Sequence, residues 1–320
     1  MSAPLDRLPQ PATPAKPVAG QRSVRGLRPL RWSLLFLAAL VGACTAYEAP
    51  REIGRWHLAA ALNLRGTGEK DAAYQKLAAA IAWFPKSPTL LLQRAEWRLD
   101  DGERDEAFAD CDRMLEVGGD RQEWLRAHAQ FLQNAGEFGR AVEDWKKINE
   151  LSQRSGTPSR PDALNGLAYA QSLAEVELDE ALENVNQALE LQTTNNDAIL
   201  DTRGYIFHLK DQNIMALSDL DRAVKGLDPY VKPAREELAK EKAQPAEEDK
   251  LTTSQPKTLV EIQSHLGTRA DQLAGVVRSA AVIHYHRALI LAALDRQQEA
   301  ETELAFVRQL IGREPDATLF

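Results

Sequence analysis

A repeat of fixed length constrains this chain more than any single motif does. Residues 54–155 divide without gaps into three consecutive blocks of 34 residues, 54–87, 88–121 and 122–155. Gly68-Glu69, Gly102-Glu103 and Gly136-Glu137 share one register, and Ala73, Ala107 and Ala141 follow five residues after each glycine. Further along, the register holds Leu77, Cys111 and Trp145, then Ala80, Met114 and Ile148, all apolar. Self-similarity at this period predicts an all-α helical solenoid, in which no unit can bury its apolar face without a neighbour.

Within the first block, Trp56, Leu58, Ala59, Ala60, Leu62 and Leu64 predict one helix, and Gly68 gives the backbone freedom for a sharp turn. Ala73, Leu77, Ala80 and Ile81 recur at three- and four-residue spacing, so a second helix presents one apolar stripe. Small Ala at the crossing lets the two helices approach closely. Pro85 stops the second helix, because proline lacks the donor an interior turn requires.

These residues resemble the tetratricopeptide repeat, as found in membrane-anchored bacterial-type proteins. That family places small residues at repeat positions 8 and 20, a large apolar residue at 24, a small one at 27 and proline near 32. Ala61, Ala73, Leu77, Ala80 and Pro85 match it in the first block; Ala95, Ala107, Cys111 and Met114 in the second; Ala129, Ala141, Trp145 and Ile148 in the third. The family's aromatics at positions 4 and 11 are replaced by His57 and Leu64, Leu91 and Arg98, and Leu125 and Leu132.

A fourth repeat, 161–195, follows the turn-rich 156–161 with a one-residue insertion; Leu167, Ala168, Ala181, Val185, Ala188 and Leu189 fix its helices, and Glu177-Leu178-Asp179 stands at the turn. A fifth, 197–230, carries Gly204, Phe207, Ala216, Leu220 and Ala223 and ends at Asp228-Pro229. Then 231–257 reads as a capping helix (Ala234–Lys242) and a polar linker with two prolines. Residues 258–314 give a helix over Leu259–Val277 and a sixth unit from Ala281 with Ala288, Asp295, Ala300, Leu304 and Val307 in register, before a tail at 315–320. The expected architecture is therefore about six helix-turn-helix units, five of them in the array 54–230.

Ahead of the repeats, residues 1–31 are basic and rich in proline, which predicts a disordered tail. Trp32 to Tyr47 carries no charge; as a helix it would cover about 24 Å, a little under the roughly 30 Å of a bilayer core. The tail holds six Lys/Arg against one acid, so the rest of the chain has a net charge of −13 where the whole has −8. Basic residues stay on the cytoplasmic side, so segment 32–49 predicts a single-pass protein with its N-terminus cytoplasmic and its repeats exported, into the periplasm if the cell is bacterial. Three forms of this segment remain open: an uncleaved anchor, a lipoprotein signal with Cys44 lipidated, and a cleaved secretory signal. Cys44 in that segment and Cys111 at an apolar register predict no disulfide.

No motif argues for catalysis: the chain has no Gly-Lys-Ser/Thr phosphate loop, no His-Glu-x-x-His, no Cys-x-x-Cys and no Gly-x-Ser-x-Gly. His284 and His286, two apart on a helix, face different sides and predict one packed and one solvated imidazole, not a metal pair. The reading is a noncatalytic protein with no cofactor and no metal. An acidic array also lacks the clustered Lys/Arg that nucleic acid demands.

The resemblance implies a groove lined by positions 2, 5, 9, 12 and 13 of each first helix, which takes a peptide or a helix from another protein. Projected here, it gives Arg126, Gln130, Gln133 and Asn134 in repeat three, Asn165 and Tyr169 in repeat four, Asp201, Tyr205 and His208 in repeat five, and Tyr285 in repeat six. Amides can hydrogen-bond a peptide backbone and tyrosines give rigid contact area. The family's carboxylate clamp does not fit, since those positions hold Leu, Thr, Arg and Glu. Leu58, Leu62, Leu92 and Leu99 make the groove apolar in repeats one and two, an end expected to pack on the membrane-proximal segment. The predicted role is a membrane-tethered protein-binding scaffold; alternatives are a permanent assembly subunit of an envelope complex and an accessory domain regulating an enzyme.

Overall fold

The structure, a computed structural model, describes residues 52–156, 160–243 and 269–315. Twelve helices and no strands occupy them. Unit one is α1 (52–66) and α2 (Lys70–Trp83); unit two is α3 (Pro88–Asp100) and α4 (Arg104–Gly118); unit three is α5 (Gln122–Asn134) and α6 (Phe138–Arg154). Unit four is α7 (Pro161–Leu173) and α8 (Leu178–Leu191); unit five is α9 (Asp197–Leu209) and α10 (Asn213–Ala243); unit six is α11 (Arg269–Ala293) and α12 (Gln297–Ile311). The tail 1–31, the apolar segment 32–49 with Cys44, most of the linker and the 259–268 start of the expected C-terminal helix lie outside the described residues. Among those residues no helix is long and apolar enough to cross a membrane.

All six units turn on the same backbone device. The residue fifteenth in each repeat is left-handed: Gly68, Gly102 and Gly136 at φ 86°, 83° and 79°, then Glu175, Asp211 and Asp295 at 53°, 58° and 59°. The next residue's N–H returns to a carbonyl of the first helix, as in Glu103 N to Arg98 O (2.8 Å), Val176 N to Gln171 O (3.0 Å) and Arg296 N to Leu291 O (2.9 Å). This is the Schellman closure of a helix C-terminus, which satisfies carbonyls the helix itself leaves free. The turn of unit four therefore centres on Glu175, two residues before the sequence reading placed it. Glu177, also left-handed at φ 50°, precedes α8.

Each core joins one unit to the next. Leu58, Ala61, Ala73 and Leu77 of unit one pack with Leu90 and Trp97 of α3, and Leu125, Trp145 and Ile148 of unit three with Ala163 and Leu167 of α7. Such nearest-neighbour burial makes a solenoid. Leu58 lies in this core and not on the groove face where the sequence placed it, while Leu62, Leu92 and Leu99 are partly buried against the cores of units one and two. Burial pushes the Cys111 thiol above its ordinary range, as expected of a packed small hydrophobe.

A recurrent ion pair ties first to second helix within a unit and reaches back to the unit before. Arg94 bonds Asp110 (2.5 and 2.6 Å), His128 lies 2.6 Å from Asp144, Arg203 bonds Asp219 (2.6 and 2.9 Å) and Arg287 bonds Glu303, all sixteen residues apart. Three of these four side chains also touch the preceding unit's second helix: His128 on Asp112 (3.1 Å), Arg203 on Asn186 (2.9 Å) and Arg287 on Asp221 (2.8 Å). Unit one has Ala60 and Lys76 at the paired registers and unit four has Leu167 and Asn184, so both lack the tie.

Two helices run through places where the sequence reading ended them. α10 continues past Pro229 and Pro233, so Ala234–Lys242 extends it and forms no separate cap. An interior proline removes a hydrogen bond and costs about 3 kcal/mol, offset here because Leu227, Val231 and Ala234 are buried and the first two share a core with Ala280 and Ile283 of α11. α11 likewise merges the segments expected on either side of 277–281 into one helix. Unit six stacks on unit five through this core, and His286 of α11 bonds Asp201 of α9.

Candidate functional site

Six of the ten projected groove residues meet around one cavity of about 310 Å³ between α5, α6 and α7: Arg126, Gln130, Gln133, Asn134, Asn165 and Tyr169. Helical spacing places them there. Residues 126, 130, 133 and 134 share one side of α5, and 162, 165, 166 and 169 one side of α7. The floor is Trp145 of α6, whose ring sits so close to α7 that a Cβ on Gly166 would come within 2.6 Å of it. Only glycine permits that approach.

Polar groups around the cavity divide into held and open ones. Arg126 pairs with Asp162 across α5 and α7, and its guanidinium lies 5.7 Å from the centre of the Trp145 ring. Burial alone would raise the Asp162 carboxyl, but Arg126 and Arg160 outweigh it and hold the group below the usual carboxylate range. Gln133 is only 8% exposed and accepts a 3.0 Å bond from the Trp145 indole N–H, so it serves the wall and not the opening. Gln130 and Asn134 are exposed. Asn165 Oδ1 is buried with no hydrogen-bond partner. The Tyr169 phenol is pushed far above its ordinary pKa by burial, and further by nearby Asp201 and Tyr205, so it stays protonated.

The other four projected residues form a different assembly. Asp201 is 5% exposed and takes His286 Nδ1 at 2.8 Å, and Tyr205 stacks on the same imidazole with ring centres 4.3 Å apart. His208 bonds Asn213 at 2.6 Å, and the half-buried Tyr285 ring lies 6.5 Å from His286. Burial, then Glu175, Tyr285 and Asp201, raise the Tyr205 phenol. Both histidines of the 284–286 pair are packed: His286 is fully buried and His284 is held between Glu303 and Asp228. That corrects the expectation that one would be solvated. Their partners differ, in line with side chains two apart on a helix. Among the described residues no three His, Cys, Asp or Glu side chains converge as a metal site would require.

Sequence reasoning missed Trp145 as the cavity floor, Asp162 as the partner of Arg126, and Gly166. The signal for Asp162 was available, since it holds position 2 of repeat four, one of the groove registers.

No family model matches the chain, and no curated protein matches it. Among solved structures, a tetratricopeptide repeat protein from Parabacteroides merdae is similar over 90% of this chain and 93% of its own, with a TM-score of 0.55 at 15% identity. The C-terminal part of a TPR repeat-containing protein from Cytophaga hutchinsonii overlays more loosely, at a TM-score of 0.40 and 12% identity over 82% of this chain and 97% of its own. With the repeat register, the left-handed turns and the shared cores, the first of these likenesses shows the fold: the described residues form a tetratricopeptide-repeat solenoid of six two-helix units.

Proposed function

We propose that this protein is a noncatalytic scaffold that captures a peptide or helical segment of a partner protein over units three and four, while segment 32–49 tethers it to a membrane with the repeats on the exported side. The observation that carries the capture is the gathering of six projected groove residues around one cavity in which Asn165 Oδ1 is buried without a partner. An unpaired buried acceptor costs about 1–3 kcal/mol, which a backbone N–H of a bound segment would recover. Gln130 and Asn134 offer further amides, and Tyr169 a rigid donor. The tether rests on the uncharged 32–47 stretch behind a tail of net charge +5.

The test is affinity capture from detergent-solubilised membranes of the native cell, comparing the full chain with Tyr169→Ala and Asn165→Leu, with the intact mass of the bait taken alongside. Loss of the same partners from both variants, at unchanged thermal stability, supports the groove. Partners that stay bound to both variants through stringent washing would replace this reading with a permanent assembly subunit. A full-length mass identifies an uncleaved anchor, a chain beginning at Cys44 with added acyl mass identifies a lipoprotein, and a shorter unmodified chain identifies a cleaved signal.

A further inference from the structure

A second cavity, of about 330 Å³, opens on the other side of α7 between α6 and α8. The α7 residues that line it are Leu164 and Leu167, whereas residues 162, 165, 166 and 169 line the groove. At about 100° per residue these sets point to opposite sides of the helix. The cavity lies where unit four lacks its internal tie. Leu167 stands at the register where units two, three, five and six carry Arg or His, and Asn184 at the register of the acid. The seat on the preceding unit holds Lys146, which is paired with Glu177 at 2.8 Å.

Asn149 lines this space, is 8% exposed, and has both Oδ1 and Nδ2 buried with no hydrogen-bond partner. One acceptor and one donor side by side match the N–H and C=O of a peptide backbone, and no simple ion satisfies both. Asn184, Gln187 and Gln153 add further amides to the lining. Glu150 and Glu180 line the same cavity; Glu150 meets Arg154 at 3.1 Å, while Glu180 is exposed and forms no ion pair among the described residues. Lys146 is paired with Glu177 and is also drawn on by Glu180, but the lining holds one cation against two carboxylates, so its net charge is negative and selects a basic side chain.

We propose that this cavity is a second binding site, separate from the groove, for an extended peptide segment whose backbone pairs with Asn149 and whose Arg or Lys side chain faces Glu180. The probe is acetylated and amidated Ala-Ala-Arg-Ala-Ala, titrated into the full chain with the side-chain amide signal of Asn149 followed by NMR and assigned from its loss in Asn149→Leu. The expected result is a saturable shift of that signal, weakened about tenfold or more by Glu180→Lys and by norleucine in place of the peptide's arginine, and unaffected by Tyr169→Ala. Glu180 is exposed, so its variant keeps the test valid should Asn149→Leu disturb folding. No shift at millimolar peptide, equal binding by Glu180→Lys, or loss of binding in Tyr169→Ala alone would overturn the proposal.

Discussion

Units three and four leave inward-facing polar groups open around a cavity, whereas units five and six engage theirs with one another. The same repeat registers supply both sets. In the first, Asn165, Gln130 and Asn134 keep free capacity over a Trp145 floor. In the second, Asp201 binds His286, Tyr205 covers it, and His208 turns to Asn213. A groove register therefore does not make a groove residue; the difference lies in whether a neighbouring side chain, from the same unit or the next, takes up its polar groups. Unit six brings His286 to unit five, and among the described residues no equivalent imidazole reaches Asn165.

Removing a tie in the closed region should have the largest effect. Asp201→Ala leaves His286 buried without its carboxylate and should lower stability by about 2–3 kcal/mol, read from the denaturant midpoint, while partner capture is retained. Capture lost at an unchanged midpoint would break the distinction between the two regions. Next, Tyr169→Ala should weaken partner affinity about tenfold, near 1.4 kcal/mol, by calorimetry, and Tyr205→Ala should act mainly on the midpoint through its stack with His286.

A smaller effect separates the turns. Gly102 has open space where a Cβ would go, so Gly102→Ala should cost only its left-handed backbone, about 1 kcal/mol. Glu175→Gly at the same register of unit four should gain about as much, since φ there is 53° in a residue with a Cβ. Thermal melts of the two variants check the opposite signs.

The smallest expected effect is a drift with pH. Burial lowers the pKa of His128, but Asp144 and Asp112 outweigh it; burial likewise opposes Glu303 and Asp228 at His284, and both imidazoles end above the ordinary 6.5. Each pair's contribution is full below that value and disappears as pH rises through the raised one. The melting temperature should therefore fall on the alkaline side of about pH 6.5, and Asp144→Asn should flatten part of that slope.

Much of the fold was legible because its signals repeat in identity. Glycine at 68, 102 and 136 and alanine at 73, 107 and 141 set the period and located the first three turns. Legibility fell where different residues do the same work. Glu175, Asp211 and Asp295 adopt the left-handed turn without being glycine. The internal tie uses Arg or His against Asp or Glu, a pattern that emerges only once the two helices are seen together. Pro229 signalled a stop, and burial against α11 overrode it. Of the site, the registers of Arg126, Gln130 and Asn165 could be projected, but the burial of Asp201 depended on His286, 85 residues away.

The most direct measurement is site-specific photo-crosslinking in the native cell, with a photoreactive residue placed in turn at Gln130, Asn134, His208 and Tyr285. The expected result is that the same partner is captured from Gln130 and Asn134 and not from His208 or Tyr285. Equal crosslinking from all four positions, or crosslinking from His208 and Tyr285 alone, would contradict the placement of the binding surface on units three and four.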